Sequence, residues 1–353
     1  MQDRLLLRTL TLLTLIVLAT PASSADEDWL DVVRDALERD EPMQARKLLR
    51  DSGADLEGEE PSYLLAETYR LEGDLRGAAE KLNESPDGFW SALGYFNLGA
   101  GYAHFEGRLS RARVSLAVAK AMAEAQGTTM AAELVDRARA LEGLIALRNE
   151  EYDRALSAFG GVRADSYIAP QVLYLSGVAR ARDGAIRRAL QDWEHVRHLP
   201  LTYPGGPESR LAMIWGHAER GHLRQALITS EEVRRELDES LKELTELRER
   251  VASEGAEAVL RDRTASSESL TEYLQRSRNL ASNPILAWFF QFMETEASRT
   301  SDEARFTQQL LAFLDEQQAL LTRFRDSALL QQADLYAQLA MNDSAANAGA
   351  RDE

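Results

Sequence analysis

The chain contains no cysteine. That removes disulfides, thiolate metal ligands, a cysteine nucleophile and the lipidated cysteine of a bacterial lipoprotein signal. It does not bear on export, because a chain with a good hydrophobic core needs no covalent staples. Lysine is scarce: Lys47, Lys81, Lys120 and Lys242 are the only four, so arginine carries most of the positive charge. Positive charge as a whole is in deficit, with 41 basic residues against 58 acidic ones and a formal net charge of -17. Such a surface repels phosphate backbones and anionic head groups, so neither nucleic acid nor an anionic lipid surface is an expected partner. Genomic base composition and a solvated surface are enough to account for this balance.

Motifs that carry catalysis are missing too. There is no HExxH and no GxSxG, and no strand precedes the two glycines of GGPESR near Gly205, which reads as a connecting loop rather than a phosphate cradle. Five histidines are present. His195 and His198 lie three apart in WEHVRH, a spacing that can bind a metal, but they also sit where cationic side chains suit a helix end before Pro200. His217 and His222 flank a turn. Pairs such as Glu150-Glu151 and Glu231-Glu232 are charge decoration in so acidic a chain. No cofactor, metal or catalytic residue is expected, and the chain does not read as an enzyme.

What is present begins with a targeting segment. MQDRLLLR carries Arg4 and Arg8, TLTLLTLIVLA is an apolar run, and PASSA places Ser23 and Ala25 before Asp26. This reads as residues 1–25 of a cleaved secretory signal. The run is short for a membrane span of about 20 residues, although an uncleaved anchor is the alternative. No later segment is long and apolar enough to span. The expected localisation of the mature chain is therefore periplasmic, with cleavage near Ala25. At 353 residues and 44% apolar content it can bury one large core or two ordinary ones.

From Tyr63 the sequence repeats itself. YLLAETYRLEGDLRGAAEKL sets Ala66, Gly73, Ala78 and Leu82 at offsets that return in GYFNLGAGYAHFEGRLSRARVSLAVA as Gly99, Gly107, Ala112 and Leu116. Ala78 to Ala112 and Leu82 to Leu116 are both 34 residues. The next two blocks pair Gly143 with Gly177, Ala155 with Ala189, Phe159 with Trp193 and Val162 with Val196, again 34 apart. A fifth block has Gly221, Ala226 and Val233, displaced by three extra residues in the loop TYPGGP. About ten residues are added between the second and third blocks, around Ala125 to Ala132. Small residues at Gly99, Gly143, Gly177 and Ala66 allow a second helix to cross closely at Ala112, Ala155, Ala189 and Ala78. Gly73, Gly107, Gly184 and Gly221 are expected to end each first helix in a left-handed turn, with Asn149 or Glu150 doing so in the third block.

This pattern resembles the tetratricopeptide repeat, a 34-residue helix-turn-helix unit. The resemblance covers residues 26–236, five to six units, with Asp26 to Gly53 as a degenerate first one in which Trp29, Leu30 and Val33 face inward beside Ala45, Leu48 and Leu49. The family's proline after the second helix is nearly matched by Pro200 and is otherwise mostly absent. The resemblance implies a right-handed α-solenoid of helical hairpins, an all-α fold. It also implies a groove lined by the first helices that holds a protein or peptide. By offset alone, the exposed groove positions are Glu67, Arg70, Asn97, Gly101, His104, Arg139, Arg180 and His217. Arginine there would favour acidic or C-terminal carboxylate ligands.

Residues 237–343 are expected to form a long-helix hairpin or coiled-coil segment. Val233, Leu237, Leu241, Leu244, Leu247 and Val251 line one face of a helix of about 30 residues, or about 45 Å, that ends at Gly255. SSESLTEYLQRSRNLASN reads as another helix, and NPILAWFFQFMETEASRT, the most hydrophobic part of the mature chain, as a further one starting at Pro284. From Ser301 to Asn342, Leu310, Leu314, Gln317, Leu321, Phe324, Ala328, Gln331 and Leu335 make a heptad seam. Its partner is either the long helix or a second copy of the chain. Residues 344–353 lack periodicity and are expected to be disordered.

These readings favour a non-enzymatic scaffold that binds an envelope protein through its groove. A self-assembling structural protein, working through the Leu310–Leu335 seam as a homo-oligomer, is one alternative. A helical accessory to an enzyme of peptidoglycan or envelope biogenesis is another.

Overall fold

The computed structural model describes residues 28–52, 58–166, 168–199, 201, 203–261 and 303–349. The expected signal segment and the two helices expected between residues 262 and 300 lie outside these. Among the described residues the fold is all-helical, without strands, and neighbouring helices pack in pairs. Among the described residues the chain divides into two compact units at Ala169/Pro170.

The first unit contains α1 (Asp28–Glu38), α2 (Pro42–Asp51), α3 (Glu59–Leu71), α4 (Leu75–Glu84), α5 (Phe89–Ala103), α6 (Leu109–Gln126), α7 (Thr129–Arg148) and α8 (Tyr152–Gly160). They form four hairpins, α1–α2 to α7–α8, and the first helices of successive hairpins also touch: α1 with α3, α3 with α5, α5 with α7. The small-residue crossings explain the hairpins. Ala78, Ala112 and Ala155 are buried, and Leu82, Leu116 and Phe159 fill the space beside them. A side chain added at Gly99 would lie 2.9 Å from Leu116, and one at Gly143 would run into the Phe159 ring. Of the expected inward residues of the degenerate hairpin, Leu30, Val33, Ala45 and Leu49 are buried, while Trp29 and Leu48 are only partly so.

The turns differ from expectation in one place. Gly73, Gly184 and Gly221 adopt positive φ, and Glu150 does so in the third block at φ 61°. Gly107 does not; the turn there is one residue longer, and a 3-10 turn over Glu106–Arg108 makes the reversal. Asp40, at φ 58°, takes the corresponding place between α1 and α2. The ten added residues lengthen helices rather than a loop: α6 runs 18 residues and α7 runs 20, joined through Gly127 and the Thr128 side chain, which accepts from Ala131 N–H.

The second unit contains α9 (Ala169–Arg182), α10 (Ile186–Arg197), α11 (Gly206–Glu219), α12 (Leu223–Glu254), α13 (Ala256–Arg261) and α14 (Glu303–Gly349). Trp193 on α10 is buried against α9, where its Nε1 donates to Tyr174 O at 3.1 Å. Helix α12 is the expected long helix at 32 residues and ends at Gly255. Helix α14 lies antiparallel along it: Ala256 N–H donates to Thr307 Oγ1, Arg248 pairs with Asp315, Gln318 Nε2 donates to Thr245 Oγ1, and Tyr336 Oη to Glu231. Each step back along α12 is matched by a step forward along α14. Leu310, Leu314, Leu321, Phe324, Ala328 and Leu335 are buried within the unit, where α14 packs against α12. Gln317 and Gln331 interrupt the apolar line, and Gln331 Oε1 is buried without a partner among the described residues. Helix α14 continues to Gly349, so the first residues of the expected disordered tail are helical; Ala345, Ala346 and Ala348 favour that state.

Candidate functional site

Five of the eight predicted groove residues come together in the first unit, where α3 and α5 lie side by side. Glu67 and Arg70 stand one turn apart on α3. Arg70 Nε donates to Glu67 Oε1 at 2.8 Å and to Oε2 at 2.9 Å, and its Nη2 donates to Oε1 as well. From α5, Asn97 Nδ2 donates to Tyr63 Oη at 3.3 Å and to Glu67 Oε2 at 3.4 Å. Gly101 follows one turn later and faces Leu75 and the Arg70 stem. His104 caps the C-terminal end of α5. Burial lowers its imidazole below the usual range, and the positive charges of Arg148 and Arg70 add to this.

Glu67 and Asn97 are deeper than the offsets implied, whereas His104 is exposed. Asn97 is only 9% exposed, and the Glu67 side chain is mostly covered. The reason is the contact between first helices: a residue on that face of α5 meets α3 before it meets solvent. Tyr63 and Trp90, absent from the sequence-based set, complete the cluster. Tyr63 is buried, its ring centroid 5.3 Å from that of Trp90, and burial raises its hydroxyl well above the usual range, with the Glu67 charge adding to the effect. A signal for Tyr63 was available. It stands 34 residues before Asn97, so a 34-residue repeat places the two at equivalent positions on neighbouring helices.

The other three predicted residues stand elsewhere. Arg139 on α7 donates to Gly161 O at 2.8 Å and to Glu124 on α6 at 3.3 Å, and it lies near Asp136. Arg180 on α9 pairs with Asp192 on α10. Burial pushes the Asp192 carboxyl up, and Arg180 opposes that. His217 on α11 is half-buried with no partner for Nδ1 among the described residues; burial lowers its pKa, and the nearby His222 and Arg220 lower it further.

The second unit has two polar features that the sequence did not signal. Arg210 is a buried hub whose guanidinium donates to Glu236 at 2.6 Å and to the carbonyls of Arg197, Leu199 and Gly206 at 2.7, 3.0 and 3.2 Å. It ties the end of α10 to α11 and α12. Glu208, in the first turn of α11, is partly exposed as a residue, but its Oε2 is closed to solvent and has no partner among the described residues. Burial pushes this carboxyl up to about 7, against the pull of the Glu208 and Gly205 backbone N–H groups. Burial also raises the Tyr174 hydroxyl, and the Glu208 charge adds to it.

His195 and His198 are exposed; His195 Nδ1 lies 2.6 Å from Gln191 O, and His198 is 3.8 Å from Glu194. Among the described residues no three His, Asp or Glu side chains converge as a metal site, and no helix is long and apolar enough to cross a membrane. No protein-family model matches the chain, and no curated protein matches it either.

Proposed function

We propose that this chain is a non-enzymatic interaction scaffold of the bacterial envelope. Its hairpins are tetratricopeptide-like, each unit being a stretch of right-handed α-solenoid, and a segment of a partner protein lies along the first helices of the first unit. Support for the repeat reading comes from the 34-residue recurrence, from the buried alanine and glycine crossings, and from the contacts between successive first helices. The leader-like residues 1–25 support export, and the periplasm is the compartment that fits. In this reading α12 and α14 form a coiled-coil-like hairpin that closes the second unit.

The observation that carries the binding role is the polar cluster of Tyr63, Glu67, Arg70 and Asn97. A buried side-chain acceptor without a donor costs about 1–3 kcal/mol. Asn97 Oδ1 is such an acceptor, held between two first helices where the fold itself requires only close packing. Such an acceptor is where a donor from a ligand, or an ordered water, can be received.

The test is crosslinked capture from intact cells with a C-terminally tagged chain, comparing wild type with Asn97→Ala. A stoichiometric envelope protein present with wild type and lost with the variant, both being equally helical by circular dichroism, supports the scaffold. Equal recovery of every captured protein by both forms overturns it.

A second reading, self-assembly, is favoured by one observation. With its seam buried on α12, α14 still presents Leu330 and Met341 outward, 72% and 64% exposed. A monomeric solution mass at high concentration would eliminate it.

A further inference from the structure

One end of the second unit carries charge of the opposite sign to the chain as a whole. The α9–α10 hairpin turns at Gly184 and the α11–α12 hairpin at Gly221, both at positive φ. Two contacts set these turns side by side. Leu190 on α10 lies against Gly216 on α11, and that antiparallel register brings Arg187 level with Glu219. Arg197 on α10 pairs with Glu232 on α12, 35 residues on, and the same offset sets Arg188 beside Leu223. Arg187, Arg188, Arg220 and Arg224 therefore share one end of the unit. All four are exposed, and among the described residues none of their guanidinium groups has a hydrogen bond or ion pair. Arg182 and His222 stand at this end too, against Asp183 and Glu219. The bond from Tyr336 to Glu231 carries the register of α14 on to Asp343, level with Arg224. Positive charge is still in excess here, in a chain of net charge -17.

Helix stability does not call for these arginines. Arg187 and Arg188 lie in the first turn of α10 and Arg224 in that of α12, where the helix dipole disfavours cations. Neither first turn contains an acidic residue to offset them. The hairpin turns of the first unit are different. There Arg39 pairs with Glu41, Arg76 with Glu80, and Arg113 and Arg154 with Glu151. In the second unit the arginines remain and the matching carboxylates are gone.

Free guanidinium groups fit carboxylates, which they bind through two parallel hydrogen bonds. An acidic peptide can set its carboxylates on the arginines and bypass Asp183 and Glu219. An anionic bilayer or a nucleic acid is a continuous array of negative charge. It meets those carboxylates as well, and the net charge of the chain opposes its approach. We propose that this end of the second unit, built on Arg187, Arg188, Arg220 and Arg224, docks an acidic peptide segment of a partner protein. The surface is separate from the Asn97 cluster of the first unit and does not depend on it.

The experiment is fluorescence anisotropy on the full chain at low salt. The probe is a labelled eight-residue peptide of alternating glutamate and alanine, blocked at both ends. Wild type is expected to bind it, and added salt to weaken it. Arg187→Glu with Arg188→Glu, and Arg220→Glu with Arg224→Glu, should each weaken binding by about tenfold or more. Lys47→Glu with Arg50→Glu makes the same change of charge at two exposed cations of α2 and should alter binding by less than about twofold. The reversal in the first turn of α10 favours the helix dipole, so its urea midpoint should not fall, which separates lost binding from lost folding. A neutral pair, Arg187→Gln with Arg188→Gln, should bind with intermediate affinity and keeps the test decisive if a reversal disturbs the fold. Absence of peptide binding by wild type overturns the proposal. So does equal weakening by the Lys47 and Arg50 pair, which would mark diffuse attraction. Sedimentation with phosphatidylglycerol vesicles, lost in the same arginine variants and unaccompanied by peptide binding, overturns it in favour of a lipid surface. None of these outcomes bears on capture by wild type against Asn97→Ala, so the two readings fail separately.

Discussion

The indole of Trp193 lies on Gly177, so close that even a methyl group at that position would collide with Nε1, which is committed to Tyr174 O. The two residues show how a helix crossing is made here. The largest side chain on α10 sits on the one residue of α9 that has none. Gly177→Ala should therefore destabilise the protein by about 1–3 kcal/mol through overpacking, despite alanine's better helix propensity. A urea titration followed by tryptophan fluorescence measures this. An unchanged or raised midpoint would show that the crossing has slack.

Helix α14 makes a second, separable prediction. Leu321 is fully buried in the seam against α12. Leu321→Ala should cost about 2–5 kcal/mol. Because α12 and α14 belong to one chain, the urea midpoint should not change with protein concentration in wild type or variant. A midpoint that rises with concentration would mean that the seam closes between copies instead.

Legibility in the sequence followed the kind of information each feature needs. The crossings were readable because Gly143 and Phe159, or Gly177 and Trp193, are set by residue size at a fixed period. The 32-residue α12 was readable because nothing in it breaks a helix. Gly107 misled because glycine permits a left-handed turn without requiring one, and an added residue gave the chain another way round. In the site, offsets identified the face of α5 that carries Asn97 and Gly101 but not its depth, since burial there comes from α3. The fate of the arginines was hidden for a related reason. Whether Arg70, Arg139 and Arg180 are open or paired depends on carboxylates at Glu67, Glu124 and Asp192, and in a chain this acidic, composition alone does not choose among partners.

Arg210 joins three helices through one guanidinium. Arg210→Leu removes the donor that satisfies the carbonyls of Arg197 and Leu199 and, among the described residues, leaves Glu236 with only Arg197, at 3.5 Å. The expected loss is about 2–3 kcal/mol, because these are charge-assisted bonds to part-buried acceptors. Hydrogen exchange should show the loss concentrated at the end of α10 and the start of α11. Uniform loss of protection would assign Arg210 a role in the whole unit rather than in that junction.

Glu208 makes stability depend on pH in a direction opposite to that of an ion-paired carboxylate. Its folded-state pKa is raised to about 7 from an ordinary value of 4.5, so the folded protein holds a proton that the unfolded chain releases earlier. Below about pH 4.5 both states are protonated and the group contributes no slope. Between there and about pH 7 the folded state binds more protons, so stability falls as pH rises, and above that it levels off. The full span is roughly 3 kcal/mol for a shift of this size. Other carboxylates titrate over the lower part of the range, so the difference between wild type and Glu208→Gln isolates this one. The variant should gain on wild type steadily from pH 5 to 7 and hold a constant advantage above, read as urea midpoints across that range. A difference that stays flat from pH 5 to 8 would mean that the carboxyl finds a partner or solvent in solution and is not held protonated by burial.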